Sequence, residues 1–277
     1  MKIALVWYYN KASDIFLNWR DGVRGAVDEL NKEHQVEWFL DKTLPTEEDG
    51  FDVILIWDDS NTAAIQYLTW FTGKKGLLLT TDPHNIENLK NFDVIYCESQ
   101  PVYDAVRRNG LHAVRAFGTD TDFFTPDETV EKSVDYFYPA TFSPWKLQRE
   151  IAHLGPKLTC IGTIQPDGMF DYQACVDNAV NVKNGYFPVS EIRDYYRMSR
   201  RVIIPAIHGS ERTVLEAMAC NVFPEVTNDG NIRTKSLVEE YVEWRKGRQG
   251  KDKSPRTFVV ENYSHKKYAQ DILKGLQ

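Results

Sequence analysis

The chain lacks any apolar run approaching the ~20 residues that a membrane-crossing helix needs. Its opening Ile3–Tyr9 run is too short for a secretory leader and has no small-residue cleavage site after it, so it reads as a first buried strand. No basic amphipathic helix near the N-terminus offers a membrane anchor, and a soluble, cytoplasmic protein without stable membrane association is expected. Cysteine is scarce: Cys97, Cys160, Cys175 and Cys220 are scattered, none in a C-x-x-C pair. That pattern predicts buried reduced thiols rather than a metal site or disulfide framework. There is no Walker loop, no G-x-G-x-x-G, no H-E-x-x-H and no G-x-S-x-G, the signatures of P-loop, dinucleotide, zincin and hydrolase chemistry. Positive charge is not in excess either. The net charge is -7, and an acidic chain repels phosphate instead of releasing counterions, which disfavours non-specific nucleic-acid binding.

What is present is an ordinary globular composition, 42% hydrophobic and 26% charged, which excludes disorder and fibrous repeats. The length of 277 residues suits two compact domains. Charge divides unevenly: residues 1–120 carry 12 Lys and Arg against 19 Asp and Glu, whereas residues 121–277 carry 21 of each. Short β-rich runs recur at Ile3–Tyr8, Val36–Phe39, Asp52–Trp57, Gly76–Thr81, Asp93–Cys97 and Ala113–Gly118, then at Tyr136–Thr141, Leu158–Thr163, Arg201–Ala206, Val222–Val226 and Phe258–Val260. Between them lie helical patterns, among them Trp19–Lys32 with Val23, Ala26, Val27 and Leu30 on one face, Lys146–Leu154, Ser190–Met198 and Thr213–Ala219. Alternation of this kind predicts an α/β protein of two Rossmann-like parallel-sheet domains facing across a cleft. The expected boundaries are 1–125 for an acceptor-side domain, 126–262 for a donor-binding domain, and 263–277 for a helix returning to the first domain. Thr119–Val134 reads as the linker.

The segment Pro205–Asn221 carries the clearest chemical signal. A buried strand ends in a loop containing Gly209, and the loop opens a helix whose free amides and positive dipole end suit a diphosphate. Glu216, about one turn in, either grips a ribose diol or is an ordinary exposed helix residue. Asp120-Thr121-Asp122 matches the D-x-D of metal-dependent sugar transferases but sits at a strand end, where a turn or hinge role is expected. Asp58-Asp59 reads as a cap for a following helix. The six basic residues of Arg245–Arg256, opposed only by Asp252, form either a solvated loop or a docking patch for a polyanion.

This stretch resembles the donor-site signature of the family 4 retaining glycosyltransferases, whose loop and helix carry two glutamates eight positions apart before A-M-A-C-G. Gly118–Pro126 is similar to that family's G-V-D-T-x-x-F-x-P, and Ser143-Pro144-Trp145-Lys146 to its S-P-x-K. Gly185–Met198 resembles its segment before the donor loop, and Glu261–Lys267 its E-x-F-S-W-x-K. Each is degenerate, but together and in order they cover residues 118–277; the first half matches less. The chain departs from the pattern at His208, where the earlier glutamate would stand, at Thr141, where an arginine would precede the phosphate lysine, and at Asn221, where a glycine follows A-M-A-C.

The resemblance implies a GT-B transferase that moves a sugar from a nucleoside-diphosphate donor, UDP- or GDP-linked, with retention and without a cofactor or bound metal. It implies His84 and Lys146 as catalytic residues; His208, at a departing position, is read as a third, either contacting the sugar or hydrogen-bonding Glu211. Thr141, Lys146, Tyr186, Glu211, Arg212, Thr213, Val214 and Glu216 would bind the donor; Trp7, Tyr8 and Asn10 would line the acceptor side. The acceptor stays open between a sugar, a small molecule and modified DNA, and the oligomeric state is not readable. Two alternatives remain. One is a virus- or phage-type transferase acting on hydroxymethylated bases, with Arg107-Arg108 and Arg245–Arg256 touching phosphates. The other is a non-catalytic sugar-nucleotide-binding protein, because His208 and Thr141 replace usual donor ligands.

Overall fold

The computed structural model describes residues 1–7, 22–40, 43–58, 64–83, 85–249 and 252–277. The chain forms two compact units, Met1–Gly118 together with Ser264–Gln277, and Thr119–Tyr263.

The first unit is a six-stranded sheet, all parallel, in the order β2-β1-β3-β4-β5-β6. Its strands are β1 (Lys2–Val6), β2 (Gln35–Phe39), β3 (Val53–Trp57), β4 (Lys74–Leu79), β5 (Val94–Cys97) and β6 (Ala113–Arg115); the helices described with them are α1 (Gly22–Leu30), α2 (Ile86–Leu89) and α3 (Gln100–Arg108). A strand buried on both faces reads as a continuous apolar run, and Ile3-Ala4-Leu5-Val6 does so. The strand period of two then sorts its residues. Ile3 and Leu5 pack with Val23, Ala26, Val27 and Leu30 of α1; Ala4 and Val6 pack with Ile54, Ile56, Leu77 and Val102 on the other face. The chain's last helix, α10 (His265–Gly275), completes the first of these clusters with Tyr268, Ala269 and Ile272. Glycine permits its close approach: a Cβ on Gly275 would lie 2.6 Å from Tyr96 Cε1, and one on Gly25 would lie 2.7 Å from His265 Cβ. The Tyr96 hydroxyl also donates to the Ile272 carbonyl at 2.7 Å.

The second unit is a five-stranded parallel sheet, ordered β11-β10-β7-β8-β9. Its elements are β7 (Val134–Pro139), α4 (Gln148–Ile151) with a tighter turn over Ala152–Lys157, β8 (Leu158–Gly162), α5 (Met169–Asp177), β9 (Asn181–Asn184), α6 (Val189–Met198), β10 (Ser199–Ile204), α7 (Glu211–Ala219), β11 (Phe223–Val226), α8 (Ile232–Lys246) and α9 (Pro255–Asn262). From β7 the chain builds outward to β8 and β9, then returns to place β10 and β11 on the other side. The direction of winding therefore reverses between β7 and β10.

Three sequence expectations change here. Phe258–Val260 is helical, inside α9, because Ser254 caps the helix by accepting from Thr257 N and Pro255 occupies its first turn. A three-residue apolar run carries no period that separates the two states. The expected linker Thr119–Val134 is irregular up to Ser133 but belongs to the second unit: Arg197 donates to the Thr125 carbonyl at 2.8 Å, and Asp120 Oδ1 accepts from Asp122 N and Phe123 N. Arg245–Arg256 is not one loop, since α8 runs to Lys246 and α9 begins at Pro255.

All four cysteines are buried and unpaired in disulfides, and burial pushes the thiols of Cys97 and Cys220 up to about 12. Among the described residues no helix is long and apolar enough to cross a membrane.

Candidate functional site

Connections that leave neighbouring strands in opposite directions open a crevice at the carboxyl ends of a parallel sheet, where ligands bind in doubly wound folds. In the second unit that place lies between β7 and β10. The connection after β7 carries Thr141 and Lys146; the connection after β10 carries Ile207, His208 and Ser210 and runs into α7.

The two connections are joined. Lys146 Nζ donates to Ser210 Oγ at 3.2 Å and to the His208 carbonyl at 3.3 Å, and Ile207 N donates to the Trp145 carbonyl at 2.9 Å. The rings of Trp145 and His208 stack, centroids 5.5 Å apart at 29°. Lys146 precedes the short α4 rather than opening it, and Leu147 between them lies at φ 52°. Burial lowers the Lys146 ammonium below the ordinary lysine range; Glu211 opposes that shift, and Arg212 and Arg233 add to it.

The helix α7 supplies the remaining groups. Ser210 stands at its N-cap with φ 88°. The amides of the first helical turn, those of Glu211, Arg212 and Thr213, have no acceptor within the helix. Val214 N already donates to the Ser210 carbonyl at 3.1 Å, and its side chain is fully buried, so neither end of Val214 offers a ligand contact. Glu216 is buried, not an exposed helix residue. Its Oε2 accepts from the buried Tyr196 hydroxyl at 3.0 Å, and its Oε1 lies 3.3 Å from Arg212 Nε. Glu211 pairs with Arg233 of α8 at 3.2 Å, both side chains nearly buried.

Thr141 gives its carbonyl to Gln148 Nε2 at 2.9 Å. Tyr186 is 75% exposed on the connection after the edge strand β9, two strand spacings or about 10 Å from β7. Trp7 follows β1 in the first unit, buried against Trp57, centroids 4.9 Å apart, and Trp38 at 6.0 Å. Tyr8, Asn10 and His84 lie outside the described residues, as does Asp59. Asp58 is described at φ 65° and accepts from Thr81 Oγ1 at 3.4 Å. Asn221 sits at φ 60°, a left-handed conformation that asparagine visits more readily than most residues other than glycine. Among the described residues no three His, Cys, Asp or Glu side chains are grouped to hold a metal ion.

Sequence reading missed Asn231, Arg233 and Thr234 of α8 and the Tyr196 partner of Glu216. Only Asn231 had a local signal, an N-cap before a helical pattern.

No protein-family model matches the sequence, and no curated protein matches it. Solved structures do match. A sucrose-phosphate synthase from Thermosynechococcus elongatus aligns over 99% of this chain and 97% of its own, with a TM-score of 0.69 at 12% identity. The fold is GT-B. AviGT4, a glycosyltransferase involved in avilamycin A biosynthesis, aligns over 99% and 96% with a TM-score of 0.61 at 14% identity. A trehalose-6-phosphate structure from E. coli bound with UDP-2-fluoro glucose aligns over 100% and 99%, with a TM-score of 0.63 at 10% identity.

Proposed function

We propose that this GT-B protein is a glycosyltransferase that moves a sugar from a nucleoside-diphosphate donor to a hydroxyl acceptor, in the manner of the family 4 retaining enzymes. The observation that carries the reading is the convergence of Lys146, the opening of α7 and Glu216 at the winding reversal of the second sheet. A desolvated ammonium beside helix-start amides is a cradle for the two phosphates, and Glu216, fixed from behind by Tyr196, is an acceptor for a ribose diol. The bound UDP-2-fluoro glucose of the E. coli neighbour supports a sugar nucleotide as the donor class.

In this reading the leaving diphosphate gains negative charge as the glycosidic bond breaks. Lys146 and the amides of Glu211, Arg212 and Thr213 stabilise that charge without reorganising, which lowers the barrier electrostatically. Arg212, half exposed beside Glu216, supplies the second cation that Thr141 does not. His208, held by Trp145, faces the sugar side, and UDP or GDP is the proposed carrier. Trp7, Tyr8 and Asn10 are the proposed acceptor-side residues, and His84 is a proposed catalytic residue.

The test is turnover. Radiolabelled UDP- and GDP-sugars are incubated with the protein and a panel of hydroxyl acceptors, hydroxymethylated DNA included. Release of nucleoside diphosphate with label transfer is the expected result; tight donor binding with neither release nor transfer would identify a binding protein instead.

A further inference from the structure

Three side chains of the first turn of α8 are buried against the loop that carries this site: Asn231, Arg233 and Thr234. Asn231 Nδ2 donates to the carbonyls of Ala206 and Gly209, both at 3.1 Å, and Thr234 Oγ1 donates to the Gly209 carbonyl at 2.7 Å. The loop needs such a hold. Gly209 lies at φ 70° and Ser210 at φ 88°, and a serine keeps a left-handed backbone only where surrounding structure over-determines it. His208 and Ser210, either side of Gly209, supply the two oxygens that receive the Lys146 ammonium. Thus α8 fixes the loop and the loop fixes the lysine.

Arg233 adds a charge to this geometry. Its Nε stands 3.2 Å from Glu211 Oε1, with side chains 10% and 6% exposed. The approach is off the N–H direction, so that oxygen receives Coulomb attraction without an aligned hydrogen bond. The charged groups acting on Lys146 are Glu211 and Arg212 from α7 and Arg233 from α8; Tyr138 of β7, close by Ser210, is kept neutral by burial.

We propose that the first turn of α8 is a positioning clamp for a nucleoside diphosphate: Asn231 and Thr234 set the loop, and Arg233 engages the Glu211 carboxylate so that the Lys146 charge stays available to the ligand. The inference rests on the donor-site reading above. Arg233 touches no phosphate in it. Its effect passes through Glu211, which otherwise turns its full charge on Lys146 and competes with the diphosphate.

The test measures binding of UDP, GDP and ADP by titration calorimetry from pH 7 to 10. It uses the full chain, Arg233→Met, Arg233→Lys, Glu211→Gln and the double variant, with initial rates for each sugar nucleotide that turns over. Arg233→Met is expected to weaken diphosphate binding about tenfold or more and, having lost a neighbouring positive charge, to move the alkaline loss of binding to higher pH. Glu211→Gln moves that loss to lower pH. The double variant recovers affinity to within a few-fold of Glu211→Gln alone, and Arg233→Lys keeps most of it; such non-additivity marks a coupled pair. Arg233→Met with unchanged affinity and an unmoved alkaline limb overturns the clamp. So does an equal loss in Arg233→Met and the double variant with the limb unmoved, which is what a folding defect produces. A wild-type chain that binds none of the three diphosphates overturns the donor-site reading itself. Diphosphate binding that depends on Arg233 in a protein without transfer upholds the clamp and removes only the transferase step.

Discussion

Lys146 Nζ lies 3.2 Å from Ser210 Oγ, so a cation on the connection after β7 is bonded to the residue that begins the helix after β10. Two segments 64 residues apart in sequence are thereby locked at the one place in the sheet where winding reverses. A diphosphate arriving there meets an ammonium whose position is already set, which spares it the cost of ordering a long side chain.

Replacing that ammonium isolates its contribution. Lys146→Ala should weaken nucleotide-sugar affinity or turnover about ten- to a hundredfold, the equivalent of the ~1.5–3 kcal/mol of one charge-assisted contact. Circular dichroism should show the fold retained. Unchanged kinetics would remove Lys146 from the site.

The same residue fixes a pH dependence. Burial disfavours the charged form and lowers the Lys146 pKa from its ordinary value, so the proton leaves at a lower pH than from a solvated lysine. In the proposed donor site, diphosphate binding requires the proton. Affinity should therefore fall on the alkaline side at a lower pH than a solvated lysine would set. A titration of affinity against pH that stays level up to the ordinary lysine range contradicts it.

Glu216 separates binding from stability. An exposed helix residue would tolerate truncation, but the Glu216 side chain is buried and receives the Tyr196 hydroxyl. Truncation strands that hydroxyl without an acceptor, which costs about 1–3 kcal/mol. A thermal scan should show Glu216→Ala melting earlier. Glu216→Gln, which keeps an acceptor oxygen, should hold its Tm while losing donor affinity.

The pair Asp120 and Asp122 should behave as a turn. Asp120 Oδ1 accepts from two successive amides, at 3.1 and 3.0 Å, and asparagine carries an equivalent oxygen. The double variant Asp120→Asn with Asp122→Asn should keep most turnover, and EDTA should not reduce it. Activity abolished by chelation and recovered with Mn²⁺ would assign the diphosphate charge to a metal instead.

Arg256 should prove structural. Its guanidinium donates to the carbonyls of Phe124, Ala219 and Thr121 at 2.9, 2.7 and 3.1 Å, tying the segment after Gly118 to the end of α7. Arg256→Ala should cost on the order of 2–3 kcal/mol, read as a lower denaturation midpoint. A polyanion-docking role for Arg245–Arg256 would appear instead as lost DNA retention at unchanged stability. Arg248 is likewise occupied, paired with Glu261 and lying over the Trp244 ring at 4.1 Å.

Much of the fold was legible because buried parallel strands leave a strong mark. Ile3–Val6, Val53–Trp57 and Val202–Ile204 are apolar runs that only a covered sheet can hide. The edge strand β9, Asn181-Val182-Lys183-Asn184, left no such mark because it is largely exposed. The loop before α7 was readable through its glycine and the change of period. Its supports were not: the bonds from Asn231 and Thr234 to Gly209, and the pairing of Arg233 with Glu211, join residues 22 to 25 positions apart. Such contacts follow from tertiary placement, and no local spacing encodes them.

The first unit takes its last helix from the far end of the chain. Tyr268, Ala269 and Ile272 fill a core begun by Ile3 and Leu5, while Thr119–Tyr263 is uninterrupted. On a ribosome delivering residues from the N-terminus, the unit made first is therefore the one finished last. Its Ile3–Leu5 face has α1 but lacks Tyr268, Ala269 and Ile272 throughout synthesis of the second, and chains halted before Ser264 are the species on which chaperones and proteases should act.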